Sequence, residues 1–414
     1  MRSFMRVTWS SRPRCGRIPS ASFPSRAHPM SSQSSLDVAA IRAHLATPHP
    51  RNNIPASITA RACAGLHVNP RHPLGQLKAR IQAYFERTGF STFDRLSPIV
   101  TVQQNFDSLL TPLDHVSRRP TDTYYLDDSR LLRCHMTAHQ VDLIAAGHSA
   151  FLMAGDVFRR DEVDATHYPI FHQVDGVRVW DDAKLPPTVG ATPQAREEFA
   201  LAELKAALEG LVKYVFGDVK MRWVDAFFPF TEPSLELEIY FGNRWLEVLG
   251  CGVIRPRILA EAGRGSGSVG WAFGLGLERL AMVLHEIPDI RLFWTDEPRF
   301  TDQFVGAAPA GATPPVQFRP YSKYPGCTKD VTFWLPQQGL AENDLFACVR
   351  EAAGDLVERV ELIDSFTHPK TARESRCYRI TYRHMNRTLV NEEVDRIQAD
   401  VRLRISRDIG AELR

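Results

Sequence analysis

GDVFRRDEVDATHYPIFHQVDG, residues 155–176, is the stretch from which the rest of the chain is read. Residues 151–158 leading into it are an apolar run of β-formers, suited to a buried strand. Arg159 and Arg160 follow, then an acidic loop with Asp161, Glu162 and Asp164, and residues 168–174 return as a second strand. Guanidinium is planar, permanently charged and forked to grip carboxylate or phosphate. One reading is an exposed hairpin whose Arg and Asp side chains pair across the loop. The other is a site that binds an anion. The returning strand favours the second, because His167, Phe171, His172, Gln173 and Asp175 line it with donors, acceptors and an aromatic face. Such a lining suits a small polar ligand with a flat ring and phosphates.

Downstream, strands are expected over residues 221–228, 235–240 and 245–250. The middle one alternates Leu235, Leu237, Ile239 and Phe241 against Glu236, Glu238 and Tyr240, the pattern of an antiparallel, half-exposed strand. The helical crossovers of a parallel sheet are missing, which argues against a Rossmann fold. In FFPFTEPS, Phe228 and Phe230 straddle Pro229 and make either a core corner or the wall of a pocket for an aromatic group. In GWAFGLGLERLAMVLHEI, Gly274 and Gly276 allow close backbone approach, and Arg279 sits on the first turns of a helix, suited to a polyphosphate tail.

Upstream, QLKARIQAYFERTGF carries Leu77, Ile81, Tyr84 and Phe85 at helical spacing, with Gly89 closing the helix. In LLRCHMTAHQVDLIAAG, Thr137 is expected to cap a helix beginning at Ala138, whose N-terminus, Thr137 to Gln140, can hold an anion or carboxylate. His135 and His139 stand four apart, but a zinc site needs a third ligand and none is obvious. Residues 183–195 read as a surface insertion. Residues 196–216 read as a long amphipathic helix burying Phe199, Leu204, Leu208, Leu211 and Val215.

Residues 306–315, GAAPAGATPP, are a linker by composition. Beyond it come a strand (330–335), a helix (344–357), strands (360–366 and 377–382), a helix capped by Asn391, and a short last strand. This β-α-β-β-α-β order is the ferredoxin-like sandwich, a fold with many uses, RNA binding among them. Its basic residues include Arg373, Arg376, Arg379, Arg383 and Arg387.

The 414 residues suit two domains plus ends, and a formal charge of +2 neither requires nor excludes a nucleic-acid partner. No apolar run approaches the ~20 residues of a membrane span. Seven scattered cysteines without a CxxC pair point to free thiols in a reducing compartment. Residues 1–35 hold six arginines, many serines and no acidic residue, the signature of an organellar transit peptide, with a disordered basic tail as the alternative.

NFDSLL with DTYYL, GDVFRRDEVDATHYPIFHQ, WVDAFFPFTEPS, WLEVLGCGV, GWAFGLGLERLAM with IPDIRLFW and, past the linker, SKYP, DVTFW and CYRITYRHMNRTL are long and ordered. In these motifs the chain closely resembles the single-chain organellar phenylalanyl-tRNA synthetases, from about residue 60 to the C-terminus. The resemblance implies an α+β fold: a class II synthetase antiparallel sheet flanked by helices over residues 36–305, a linker over 306–318, and a ferredoxin-like anticodon-binding domain over 319–414. It implies phenylalanine, ATP, Mg²⁺ and tRNA(Phe) as ligands, a monomer, and a mitochondrial-matrix location with plastid or dual targeting open. By similarity, Arg159 holds the α-phosphate and the attacking carboxylate, Arg279 the γ-phosphate, Phe171 stacks on adenine, His167 assists at the phosphates, and Thr166 and Tyr168 beside it also bind substrate. Thr137, Ala138, His139, Gln140, Gln173 and Asp175 surround the substrate amino group and acyl part, while Phe228, Phe230, Ala272 and Phe273 enclose the phenyl ring. Glu247 faces the site and holds ATP or magnesium. Family members often carry Ser and Glu where Thr137 and Asp175 stand. These lengths leave no room for an editing domain, so rejection of tyrosine falls to the pocket alone. A tRNA-binding paralogue without ligase activity, or an RNA-binding protein using only the C-terminal domain, are the rival readings; retention of Arg159, Arg279 and the phenyl pocket argues against the first.

Overall fold

The computed structural model describes residues 36–305, 316–320 and 324–414. The leader expected over 1–35 and the linker expected over 306–315 lie outside the described residues. The first domain contains β1 (Ser91–Phe93), β2 (Ile99–Thr101), β3 (Arg130–Leu132), β4 (Ala150–Phe158), β5 (Ile170–Trp180), β6 (Met221–Ala226), β7 (Thr231–Phe241), β8 (Arg244–Ile254) and β9 (Val269–Gly276). Seven of these form one sheet in the order β1-β4-β5-β9-β8-β7-β6, and β2 pairs with β3. The large sheet is antiparallel except at its edge, where β1 runs parallel to β4.

The quoted stretch is two paired strands, Phe158 facing Ile170 and Ala150 facing Arg178. β5 begins at Ile170, not at residue 168, because Pro169 has no N–H to give to a ladder; its carbonyl still accepts from the Arg159 N–H at 3.1 Å. Period-two alternation then divides the sheet. Leu152, Ala154, Val174, Leu237, Ile239, Trp271, Phe273 and Leu275 point to one face and form the main core with the helices Pro73–Glu86, Pro193–Phe216 and Leu277–His285. Each of the leucine, isoleucine, valine and phenylalanine side chains among them, fully buried, contributes about 1.5–3 kcal/mol. The long helix buries Leu204, Leu208, Leu211 and Val215 as expected, but Phe199 lies at its margin, edge-on to Trp180 at 5.1 Å.

The second domain runs β10 (Cys327–Trp334), helix Glu342–Ala353, β11 (Val357–Thr367), β12 (Glu374–Tyr382), helix Asn391–Arg404 and β13 (Glu412–Leu413). Its antiparallel order, β11-β12-β10-β13, is that of the ferredoxin-like sandwich. The first helix stops at Ala353, short of the expected 357, because Gly354 turns the chain with φ +55°. Asn391 is the first helical residue rather than the cap, and Val390 in the cap position offers no side-chain acceptor. The five arginines singled out here all lie beside carboxylates: Arg373 on Glu412, Arg376 on Glu374, Arg379 on Asp330, Arg383 on Glu358 and Arg387 on Glu393. Among the described residues, no helix is long and apolar enough to cross a membrane.

Candidate active site

On β5, Phe171, Gln173, Asp175 and Val177 share the sheet face opposite the helices. Across the ladder, β9 places Gly276 beside Gln173, Gly274 beside Asp175 and Ala272 beside Val177. These small residues make a floor. A Cβ on Gly274 would stand 2.9 Å from Asp175 Oδ1, and one on Gly250 2.7 Å from the Phe228 ring. Phe228 and Phe230 stack at 5.8 Å, and Phe230 and Phe171 lie half-buried against the apolar cluster that contains Ala272. An apolar slot therefore lies beside a row of polar groups.

Those polar groups are held from behind. Residues 136–139 form a 3-10 turn, and the α-helix begins only at Gln140, so Thr137 is not a helix cap. Its hydroxyl instead donates to Asp175 Oδ2 at 2.6 Å, and the Met136 N–H donates to Gln173 Oε1 at 3.2 Å. Asp175 is 3% exposed, and its Oδ1 has no hydrogen-bond partner among the described residues. Burial pushes its carboxyl up to about 7, against the opposing pull of the Thr137 hydrogen bond and the Arg159 charge. Gln140, fully buried, likewise has no hydrogen-bond partner for either side-chain amide atom among the described residues. Ala138 packs behind the turn with Phe106 and Leu131.

Arg159 leaves the end of β4 with its Nε donating to the Cys134 carbonyl at 2.9 Å and its guanidinium 5.1 Å from the Phe171 ring centre. The acidic loop beyond it is organised by Asp164. Asp164 Oδ1 accepts from the Thr166 N–H and hydroxyl, both at 2.7 Å, and from the His167 N–H at 2.8 Å, while Oδ2 lies 2.9 Å from His167 Nδ1. Burial opposes a charge on His167, but the Asp164 hydrogen bond and the neighbouring carboxylates outweigh it and raise its pKa. On the opposite side Arg279 Nη1 meets Glu247 Oε2 at 3.2 Å. Its neighbour Glu278 is fixed to β5, taking the His172 N–H at 2.8 Å and lying 2.6 Å from His172 Nδ1. That pair sets the rotation of the helix and turns Arg279 toward Glu247.

Two expectations need correction, and the zinc alternative loses a ligand atom. Phe273 belongs to the helix-side core, stacked on Phe85 at 5.3 Å, because on β9 it has the opposite parity from Ala272. Tyr168 turns away from the site: its ring stacks on Trp294 at 5.3 Å and its hydroxyl donates to Asp355 of the second domain at 2.8 Å. His139 Nε2 faces Arg133 Nη1 at 3.0 Å and so acts as acceptor to it, which removes that lone pair from any zinc site with His135.

Two residues were missed. Arg133, 1% exposed, donates from Nε and Nη2 to Asp156 O and Oδ1 and from the same Nη1 to the Leu96 and Ser97 carbonyls, at 2.7–3.1 Å, and so fixes the 133–139 segment to β4. Glu236, read from sequence as an outward polar residue, is close enough to Glu247 to feel its charge. Burial, then Glu247 and Glu238, push its carboxyl up to about 7. Glu247 is raised as well, first by burial. Two carboxylates that resist ionisation together form an oxygen donor set that suits a hard divalent cation such as Mg²⁺.

Residues 62–304 match the family model for the tRNA synthetases class II core domain (F), and residues 322–414 that for the ferredoxin-fold anticodon binding domain. The chain is 50% identical to the chloroplastic/mitochondrial phenylalanine–tRNA ligase of Arabidopsis thaliana, covering 88% of this chain and 83% of that one. It is 46% identical to the mitochondrial enzyme of Mus musculus, covering 87% and 85%. Against the mitochondrial enzyme of Saccharomyces cerevisiae it is 37% identical, covering 87% and 92%.

Proposed function

The chain belongs to the phenylalanine–tRNA ligases of the class II synthetase family, and we propose that it activates phenylalanine with ATP and passes the acyl group to the 3′-terminal ribose of tRNA(Phe) for organellar translation. The observation that carries this reading is a buried carboxylate, Asp175, with one oxygen left without a hydrogen bond among the described residues, near the stacked Phe228 and Phe230 and near Ala272. An α-ammonium on Asp175 and a phenyl ring in the slot are what one amino acid, phenylalanine, brings at once. Burying the extra hydroxyl of tyrosine there is costly, because an apolar wall offers no partner.

The first step needs no acid–base pair, since a carboxylate is already a nucleophile. The protein aligns its attack on the α-phosphorus and neutralises charge as pyrophosphate leaves. Arg159, beside Phe171, takes the α-phosphate and the attacking carboxylate, with adenine at Phe171. His167, whose charged form the Asp164 contact favours, assists at the phosphates, and Arg279 takes the γ-phosphate. Glu247 and Glu236 would hold Mg²⁺, which supplies charge neutralisation on the phosphates. In the second step the ribose hydroxyl attacks the acyl carbon and AMP departs. We place the enzyme in the mitochondrial matrix, as a monomer, its relatives being named mitochondrial or chloroplastic/mitochondrial.

ATP–pyrophosphate exchange across all twenty amino acids tests the reading. Exchange with phenylalanine, and at most faintly with tyrosine, is expected. A folded protein that exchanges with none of them would refute ligase activity.

A further inference from the structure

The loop between β4 and β5 carries Arg159 at one end and His167 at the other, and it is built into the second domain. Val163 at its tip is 5% exposed and belongs to the second domain's core cluster, with Leu345, Val349 and Val360. The Val360 N–H donates to the Val163 carbonyl at 3.0 Å. Arg350 spans the loop's acidic turn, donating from Nη1 to the Asp161 carbonyl at 2.5 Å and from Nη2 to the Glu162 carbonyl. Asn343 Nδ2 donates to the Arg160 carbonyl at 3.1 Å, and Arg160 itself pairs with Asp344 at 3.0 Å. Four consecutive residues, 160–163, thus have a backbone carbonyl taken by a second-domain donor. Surface packing between domains does not require this; carbonyls left to water would be equally satisfied. What it does is fix the backbone of a polar loop that has little apolar content of its own.

We propose that the second domain is a working part of the ATP site: Arg350, Asn343 and Val360 hold residues 160–163 so that Arg159 and His167 meet the nucleotide phosphates in the productive geometry. Arg350 is then a positioning residue for adenylate formation, a step that needs no tRNA. This rests on the functional reading above.

The test is phenylalanine-dependent ATP–pyrophosphate exchange by the full chain, without tRNA, comparing wild type with Arg350→Ala. Displacing phosphate ligands by a fraction of an ångström costs about an order of magnitude, so the KM for ATP is expected to rise about tenfold. The KM for phenylalanine should rise by less, about threefold, because its ammonium and ring are held by Asp175 and the apolar slot outside the loop and only its carboxylate meets Arg159. Arg350→Lys, which keeps one donor group, should fall between. Arg404→Ala, which removes ion pairs to Glu351 and Asp400 on the same domain, should leave both KM values unchanged. A folded Arg350→Ala protein with wild-type ATP KM and turnover overturns the proposal, as does an equal rise in both KM values. If Arg350→Ala does not fold, Asn343→Ala takes the same test, with a rise of about threefold in ATP KM expected and no rise overturning it. Absence of exchange in the wild type would instead overturn the functional reading and the proposal with it.

Discussion

With Asp175 taking the substrate ammonium as proposed, the amino-acid site is expected to be sensitive to pH, and the sign follows from the burial of that carboxylate. Its carboxyl is raised from 3.8 to about 7. A shift of that size corresponds to about 4 kcal/mol against ionisation in the unliganded protein. Between these two values the folded chain binds more protons than the unfolded one, so this group's contribution to stability falls as pH rises through that window and is lowest above pH 7. A substrate ammonium reverses the preference by giving the buried charge a partner, so binding phenylalanine displaces a proton from Asp175 below pH 7. The KM for phenylalanine should therefore rise about tenfold for each pH unit below 7 and be level above it. Asp175→Asn keeps the shape and the Thr137 contact but cannot pair with an ammonium. A desolvated charge pair is worth roughly 2–5 kcal/mol. Taking about 3 kcal/mol, the KM for phenylalanine rises about 150-fold, and its pH dependence below 7 disappears. Both are read by ATP–pyrophosphate exchange from pH 5.5 to 8.5 with ATP saturating. A wild-type KM that is flat over this range, or an Asp175→Asn enzyme with wild-type KM, would refute the reasoning.

Ala272→Gly should enlarge the apolar slot beside Phe171 and Phe230 and admit para-substituted phenylalanines; unchanged selectivity in exchange would count against the slot as the phenyl site. Gly155→Ala puts a Cβ 2.3 Å from Arg133 Nη2, in a guanidinium that five contacts hold in place. Disturbing that buried pair with Asp156 should destabilise the domain by about 3 kcal/mol or more, seen as a lowered denaturation midpoint; an unchanged midpoint would show that Arg133 can move aside.

The sheet was legible because its strands announce their faces. Leu235, Leu237 and Ile239 alternate with glutamates, and β9 alternates Trp271, Phe273 and Leu275 with Ala272, Gly274 and Gly276. The same parity would have excluded Phe273 from the slot; following it along β9 was the available signal. Arg159, Asp175 and Arg279 stood out in the sequence because charged groups on or beside apolar strands and helices need a reason. Arg133 was not, because its partners are carbonyls far away in sequence, and nothing local marks a buried guanidinium. Thr137 and Tyr168 failed for a related cause: a hydroxyl takes whichever acceptor the tertiary fold presents, here Asp175 and Asp355. Val163, one apolar residue in an acidic loop, was the visible sign that the loop docks on something, and sequence does not say on what.

The central claim is that this single chain charges tRNA(Phe) through Arg159 and its neighbours, and charging itself tests it most directly. Labelled phenylalanine, ATP and a tRNA(Phe) transcript should yield phenylalanyl-tRNA with the wild-type protein. Arg159→Ala, which removes a charge aligned with the transition state, should lose about 10³-fold in turnover. Its KM for tRNA should stay within a few-fold of wild type. Arg159→Ala charging at wild-type rate, or a folded wild-type protein that charges nothing, would contradict the account.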